Sequence, residues 1–172
     1  VLTSSKDIKP FKIVMFADSH IGTTFNAEEF AKHVAEMQRQ NPDVVVIVGD
    51  FVDDGTTKED MKAVCRVLGK MRTMHGVYFV FGNHDPCVGG YLTKKLYFEI
   101  ISEHNPNFNF KKSYYSFVPQ KGYKVIALDS IIDGRITSNG QIDTEQVKWL
   151  DEELSKSKKD NENVFVFGMA ER

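Results

Sequence analysis

The 172-residue chain has a net charge of −2, with 41% hydrophobic and 27% charged residues. These proportions are typical of a globular domain and exclude the basic surface that non-specific nucleic-acid binding requires. No apolar run is long enough to cross a membrane, and the two cysteines, Cys65 and Cys87, are too few for a disulfide framework. We expect one domain over residues 1–172 and a cytoplasmic location, and the sequence leaves the oligomeric state open.

Two buried strands in the first half of the chain each end in polar residues. The first, predicted for residues 11–17, leads into Asp18 and His20, which point the same way on an extended chain. The other, predicted for residues 77–81, leads into Asn83 and His84.

The strand predicted between them, at residues 44–48, is the most distinctive element. Its five β-branched apolar residues do not alternate with polar ones, which indicates a strand buried on both faces within a helix-covered sheet. Gly49 ends the run, and acids follow at Asp50, Asp53 and Asp54. Ligand sites of open α/β sheets lie at the carboxyl ends of strands. Taken alone, these acids indicate either such a site or a simple turn and helix cap; the three strand ends together favour one shared site.

Four helices separate or follow the strands. Capping residues and the helical spacing of apolar side chains mark them. They are predicted to begin at Asn26, at Thr56 or Thr57, at Tyr91 and at Asp143. The second helix places Cys65 on its buried face, which favours a packed thiol over a reactive one.

The later part of the chain predicts a second sheet that contains an antiparallel pair of strands. That pair is predicted at residues 113–118 and 124–129, and a final strand of the chain is predicted at residues 164–167. For the helix before the last strand we predict a buried stripe of Val147, Leu150 and Leu154. Gln146 has the position that completes a capping box in its first turn.

The polar residues at the strand ends form a mixed set of ligands. Aspartate oxygens, histidine nitrogens and an asparagine carbonyl suit Mn, Fe, Zn or Ni better than Ca. Asp50, on the central strand, can bridge two metal ions about 3.5–4 Å apart, and such a pair polarises a phosphoryl oxygen and lowers the pKa of a shared water. A histidine such as His84 is suited to protonate the departing alkoxide.

These residues resemble the calcineurin-like metallophosphoesterase family. The resemblance rests on Asp18-x-His20, on Gly49-Asp50-x-x-Asp53 and on Gly82-Asn83-His84-Asp85, each after a buried strand. It implies an α/β fold, an α/β/β/α sandwich of two mixed sheets with the site at one edge. It also implies two divalent metal ions, one held by Asp18, His20 and Asp50 and the other by Asp50 and Asn83. His84 is then the general acid and Asp53 orients its ring.

Later residues are similar to the cyclic-nucleotide-phosphodiesterase-like branch of that family. The similarity covers Leu128-Asp129-Ser130, Gly140 and the block Gln146-x-x-Trp149-Leu150. It implies a small phosphate ester or a nucleotide as substrate, either a phosphomonoester or a phosphodiester. The purple acid phosphatase branch is disfavoured, because that branch has a tyrosine ligand where this chain has Asp53.

The chain departs from the family in its later half, where the family has further histidine ligands. One of them follows a strand like that at residues 164–167, and two come from a Gly-His-x-His block. Here histidine occurs only at positions 20, 33, 75, 84 and 104, and residues 168–172 read Gly-Met-Ala-Glu-Arg. We therefore expect a domain truncated at its carboxyl end, in which the second metal ion is lost first.

Two functions remain open at this point. One is a two-metal phosphoesterase, favoured by the pair His84 and Asp53, since a scaffold has no use for an oriented acid. The other is a non-catalytic or truncated module of the same fold that binds protein partners, favoured by the missing histidines. A P-loop nucleotide binder is excluded, because no glycine-rich phosphate loop with a lysine follows any strand.

Overall fold

The computed structural model describes residues 2–82, 85, 92–105, 112–131 and 140–169. Its elements in chain order are β1 (Ile13–Phe16), α1 (Ala27–Arg39), β2 (Val44–Val48), α2 (Lys58–Leu68), β3 (Val77–Val80), α3 (Lys94–His104), β4 (Tyr115–Gln120), β5 (Tyr123–Ala127), α4 (Thr144–Lys159) and β6 (Asn163–Phe167). One sheet has the order β1-β2-β3 with parallel pairing. The other has the order β4-β5-β6, in which an antiparallel hairpin is joined by a parallel strand. The predicted α/β fold with two sheets is confirmed.

Two apolar layers hold the sheets and helices together. On one face of the first sheet, side chains of α1, α2 and α3 pack around Ile47, Phe51 and Phe79. On its other face, alternate valines of β2 meet the second sheet, including Ala127 and Phe117. β2 is therefore buried on both faces, with no residue more than 7% exposed, as its unbroken apolar run predicts.

Local capping and packing signals in the first half are also confirmed. Asn26 caps α1 with the reciprocal bonds of a capping box to Glu29, and Thr57, one of the two predicted candidates, caps α2 in the same way. Cys65 is packed in the core, where burial raises its thiol pKa to about 12. A thiol in that state is a small hydrophobic side chain and not a nucleophile.

The first strand is not buried, contrary to prediction. β1 is shorter than expected, and the side chain of Met15 is 58% exposed. Among the described residues, β1 pairs with β2 and with no strand on its other side. An edge strand has fewer neighbours to cover it, and an apolar sequence alone does not distinguish an edge strand from a central one.

The buried face of α4 is polar, and the predicted apolar stripe is wrong. Val147 and Leu154 are 52% and 40% exposed. The buried positions of the helix are Gln146, Glu153 and Ser157. Glu153 accepts a hydrogen bond from Ser116 at 2.6 Å, and its carboxylate lies 2.9 Å from the Lys124 ammonium. The second sheet thus presents polar side chains to α4. The helix faces the sheet with its polar row, which lies next to the predicted apolar stripe on the helix surface.

We expect this ion pair to make the stability of the fold depend on acid pH. Burial by itself would raise the pKa of Glu153, but hydrogen bonds from Lys156, Ser116 and Lys124 lower it to about 2, below its usual value of 4.5. The stabilisation is therefore present above pH 4.5 and is lost as the pH falls towards 2. Denaturant unfolding between pH 6 and pH 2.5 should show a shallower loss of stability in Glu153→Gln than in the wild type.

The matched control is Glu152→Gln, because the neighbouring Glu152 side chain is exposed. Its unfolding free energy should follow the wild-type pH dependence. Parallel curves for wild type and Glu153→Gln would show that the buried carboxylate has no such effect.

The carboxyl ends of the two sheets meet at one edge of the molecule. Phe81 forms a parallel bridge to Asp129, and the Ser130 N–H donates to the Phe81 carbonyl at 3.3 Å. Strand ends from β1, β2, β3 and β5 therefore lie side by side along this edge. The polar residues Asp18, His20 and Asp50, which follow β1 and β2, are thereby brought to this edge.

Candidate metal centre

Three of the predicted ligands converge at the shared edge. Asp18, His20 and Asp50 each offer a ligand atom, and these atoms all lie within 4.8 Å of one another. Asp50 is 2% exposed, whereas Asp18 is exposed and His20 is half-buried. Of the two carboxylates in this group, only that of Asp50 is buried.

The backbone holds all three residues in an uncommon conformation. Their φ angles are positive, at 56° for Asp18, 40° for His20 and 50° for Asp50. Such angles are disfavoured for residues with a side chain and occur at functional sites more than elsewhere. Hydrogen bonds between neighbouring strand ends hold this arrangement, from Asp18 N to the Gly49 carbonyl at 3.3 Å and from His20 N to the Asp50 carbonyl at 3.1 Å.

Glycines on either side of Asp50 allow the strand ends to approach closely. Gly49 has a φ of +72°, which favours glycine. A Cβ atom at Gly82 would lie 2.5 Å from the Asp50 backbone nitrogen and would overlap its Oδ1 atom. The end of β3 therefore packs directly against Asp50. Asn83 and His84, the next two residues of the predicted site, lie outside the described residues.

Asp53 lies beside a different histidine from the one expected. Its carboxylate oxygen is 3.5 Å from Nδ1 of His20. Thr56 fixes this loop, since its hydroxyl accepts from the Asp53 N–H at 2.7 Å and donates to the Ile21 carbonyl. A carboxylate next to one imidazole nitrogen orients the ring and leaves the other nitrogen for a ligand. The expected contact of Asp53 with His84 falls outside the described residues and stays a prediction.

Asp85 is a buried residue to which the sequence analysis assigned no role. Its side chain is 0% exposed and accepts hydrogen bonds from Val52 N and Gly82 N, both at 3.0 Å. The carboxylate therefore fastens the segment after β2 to the end of β3. Burial raises its pKa to about 7, against the opposing effect of these hydrogen bonds. The sequence contained a weak signal for this role, an acid three residues after a strand-terminating glycine.

Replacing Asp85 with alanine should destabilise the protein by at least about 2 kcal/mol at pH 6. Two buried N–H donors would lose their acceptor, and each such loss costs about 1–3 kcal/mol. Chemical denaturation measures the change. The control is Asp43→Ala, because Asp43 accepts one N–H, from Lys12, near the surface. Equal losses in the two variants would contradict the fastening role of Asp85.

The donor set fits a divalent metal ion. Two carboxylates and one imidazole are the ligands that Mn, Fe, Zn and related ions accept in proteins. The group also places a nearly fully buried carboxylate, Asp50, against the partly buried His20 and the exposed Asp18. An ion at this position would compensate the negative charge that the fold concentrates there.

Comparison with known proteins identifies the family. Residues 11–171 match the family described as calcineurin-like phosphoesterase, and the chain therefore belongs to it. The chain is 35% identical over 83 residues to the uncharacterized metallophosphoesterase YkuE of Bacillus subtilis. The matched segment covers 48% of this chain and 28% of that protein. It is 34% identical over 80 residues to a Danio rerio transmembrane protein with metallophosphoesterase domain. Here the matched segment covers 46% of this chain and 18% of that protein.

A solved structure shares the fold. A dimetal phosphatase from Danio rerio superposes with a TM-score of 0.68 at 15% identity, over 92% of this chain and 69% of that one. In the two curated relatives named above, by contrast, the chain matches less than a third of the length of each protein. Among the described residues, no helix is long and apolar enough to cross a membrane.

Proposed function

We propose that the protein is a metal-dependent phosphoesterase. Asp18, His20 and Asp50 hold one divalent ion, and Asp50 and Asn83 hold a second. The observation that carries this proposal is the convergence of three ligand atoms within 4.8 Å at the shared edge. Membership of the calcineurin-like phosphoesterase family supports it. The substrate is a small phosphate ester or a nucleotide, and residues 1–172 belong to one domain.

Different residues of the chain have different roles in the proposed reaction. Bound metal ions would supply charge for the phosphoryl oxygens and lower the pKa of water at the site. Asp53 lies 3.5 Å from Nδ1 of His20 and helps to orient its ring for the ligand cluster. His84 donates a proton to the ester oxygen that departs. Asp85 and Gly82 keep the end of β3 against Asp50.

The role of His84 can be tested by changing the leaving group. His84→Asn should retain bound metal but slow hydrolysis by ~10²–10⁴-fold for alkyl phosphate esters, which need a proton on the departing oxygen. Esters of p-nitrophenol should be slowed far less, because nitrophenolate departs without a proton. The measurement is the kcat of Mn-loaded full-length protein on both ester types, with elemental analysis of the metal content.

A histidine on α1 provides the control. His33 packs against the ring of Phe25 and is absent from the ligand cluster, so His33→Asn should behave like the wild type. Equal slowing of both ester types by His84→Asn would remove His84 as the acid. No hydrolysis of any ester by the metal-loaded wild type would overturn the proposed function itself.

A further inference from the structure

A polar cavity lies along the same edge as the candidate metal centre. Its volume is about 290 Å³, just below the roughly 300–1,000 Å³ of ordinary ligand pockets. Of the eight described residues that line it, seven are polar or charged, and Ile131 is the exception. Such a cavity suits a small hydrophilic molecule.

The strand pairing places this cavity next to the ligand cluster. Asp129 lines the cavity and is bridged to Phe81 at the carboxyl end of β3. Gly82, the next residue, packs directly against Asp50. One strand end therefore lies between Asp129 on the cavity wall and Asp50, the central candidate ligand.

A buried network fixes a cation on the cavity wall. Asp129, only 6% exposed, accepts from Lys94 Nζ and from the Ile131 N–H, both at 3.0 Å, and also from the Ser113 hydroxyl. Gln146 holds the backbone of Asp129 from both sides, accepting from its N–H at 2.7 Å and donating to its carbonyl at 2.9 Å. The Gln146 side chain therefore does not complete the predicted capping box of α4. Instead it helps to position the ion pair of Lys94 and Asp129.

The charges and polarity of the cavity restrict what it accepts. Among the described lining residues, Lys94 and Asp129 balance each other and Asp143 adds a further carboxylate, which disfavours a second anionic group. An apolar group would strip water from polar side chains without replacing their hydrogen bonds. A neutral molecule with several hydroxyl groups both donates and accepts, and satisfies this lining.

We propose that the cavity binds the alcohol part of the phosphate ester, that it selects a neutral polyhydroxylated alcohol, and that Lys94 determines this preference. The inference rests on the proposed function and extends it to a substrate class. Lys94 acts by binding the alcohol, and the ester bond is broken at the metal centre, so its effect falls mainly on KM.

The test compares two esters that differ only in hydroxyl groups, glycerol 1-phosphate and propyl phosphate. The Mn-loaded protein should favour glycerol 1-phosphate at least about tenfold in kcat/KM, because a polar site rejects an analogue that leaves its groups unpaired. Lys94→Met should bring that ratio close to one, mainly by raising KM for glycerol 1-phosphate. The control is Lys95→Met, the next residue on α3, whose side chain is 87% exposed and should leave the ratio unchanged.

A second variant protects the test against misfolding. Lys94→Met leaves a buried carboxylate without its cation, which can destabilise the fold. Gln141 lines the cavity with an exposed side chain, while its backbone N–H bonds to the Ser130 carbonyl. Gln141→Leu should therefore fold normally and lower the ratio at least about threefold.

Binding can be followed without turnover through the single tryptophan of the chain. The ring of Trp149 lies 4.8 Å from that of Tyr114, which lines the cavity. Fluorescence titration should show tighter binding of glycerol 1-phosphate than of propyl phosphate, with the difference lost in Lys94→Met and kept in Lys95→Met. Equal affinities for the two esters, or equal behaviour of the two lysine variants, would overturn the inference. A binding preference without hydrolysis of either ester would support the cavity assignment and count against the phosphoesterase function.

Discussion

Asp50→Asn should weaken metal binding by at least about 100-fold. Asp50 is the only one of the three converging residues that is nearly fully buried, and it sits on the central strand between the other strand ends. The substitution removes one charge and one anionic oxygen from the cluster. Loss of groups that merely support metal ligands costs about 10–100-fold in affinity, so loss of a candidate ligand itself should cost more. Equilibrium dialysis against Mn²⁺ or Zn²⁺ with elemental analysis measures the effect.

Asp54→Asn is the matched control for this substitution. Asp54 lies on the same loop, is exposed and offers no ligand atom to the cluster, yet the variant loses the same charge. Because exposed charges are screened, its metal affinity should fall by no more than about threefold. Similar losses in both variants would mean that the ion responds to the general negative field and not to ligation by Asp50.

The methyl group added by Gly82→Ala should disrupt the packing of this region more than any other single added methyl group. The added Cβ would approach the Asp50 nitrogen to 2.5 Å and overlap its carboxylate oxygen, and neither atom can move without displacing β2 or the candidate ligand. Overpacking of this kind costs about 1–3 kcal/mol. We expect a loss of stability in that range together with a loss of metal affinity, because relief of the clash moves Asp50.

Gly168→Ala provides the comparison. Gly168 also follows a strand, but its added Cβ would meet Leu128 at 3.5 Å, an ordinary contact distance. Thermal unfolding should separate the two variants by several degrees, and metal content should fall only in Gly82→Ala. If both variants bound metal and unfolded like the wild type, the close packing of β3 on Asp50 would not matter for the site.

The sequence predicts the features that depend on local patterns. An unbroken run of β-branched residues is sufficient to indicate that β2 is buried on both faces, and Asn26 with Glu29 is sufficient to place the start of α1. The convergence of Asp18, His20 and Asp50 follows as soon as their strands are taken as parallel neighbours, because the carboxyl ends of such strands share an edge.

The features that were missed depend on partners distant in the chain. The orientation of α4 is set by Ser116 and Lys124, which lie about thirty or more residues before Glu153 and contact its carboxylate. These contacts stabilise the orientation in which a polar row of α4 is buried and the adjacent apolar row is not. The role of Asp85 depends on the Val52 N–H, 33 residues away. Neither relation leaves a periodicity in the sequence, so neither can be inferred before the topology is known.

The position of β1 at a sheet edge has a consequence for which genetic changes the protein tolerates. Phe16 pairs with Ile47, and Asp18 and Asp50 follow these partners at fixed distances along the chain. Deletion or insertion of a single codon within β1 would move Asp18 to the opposite face of the strand, because alternate residues point in opposite directions. The exposed side chain of Met15, by contrast, can be exchanged for many others. The length of β1 is therefore under stricter constraint than its composition.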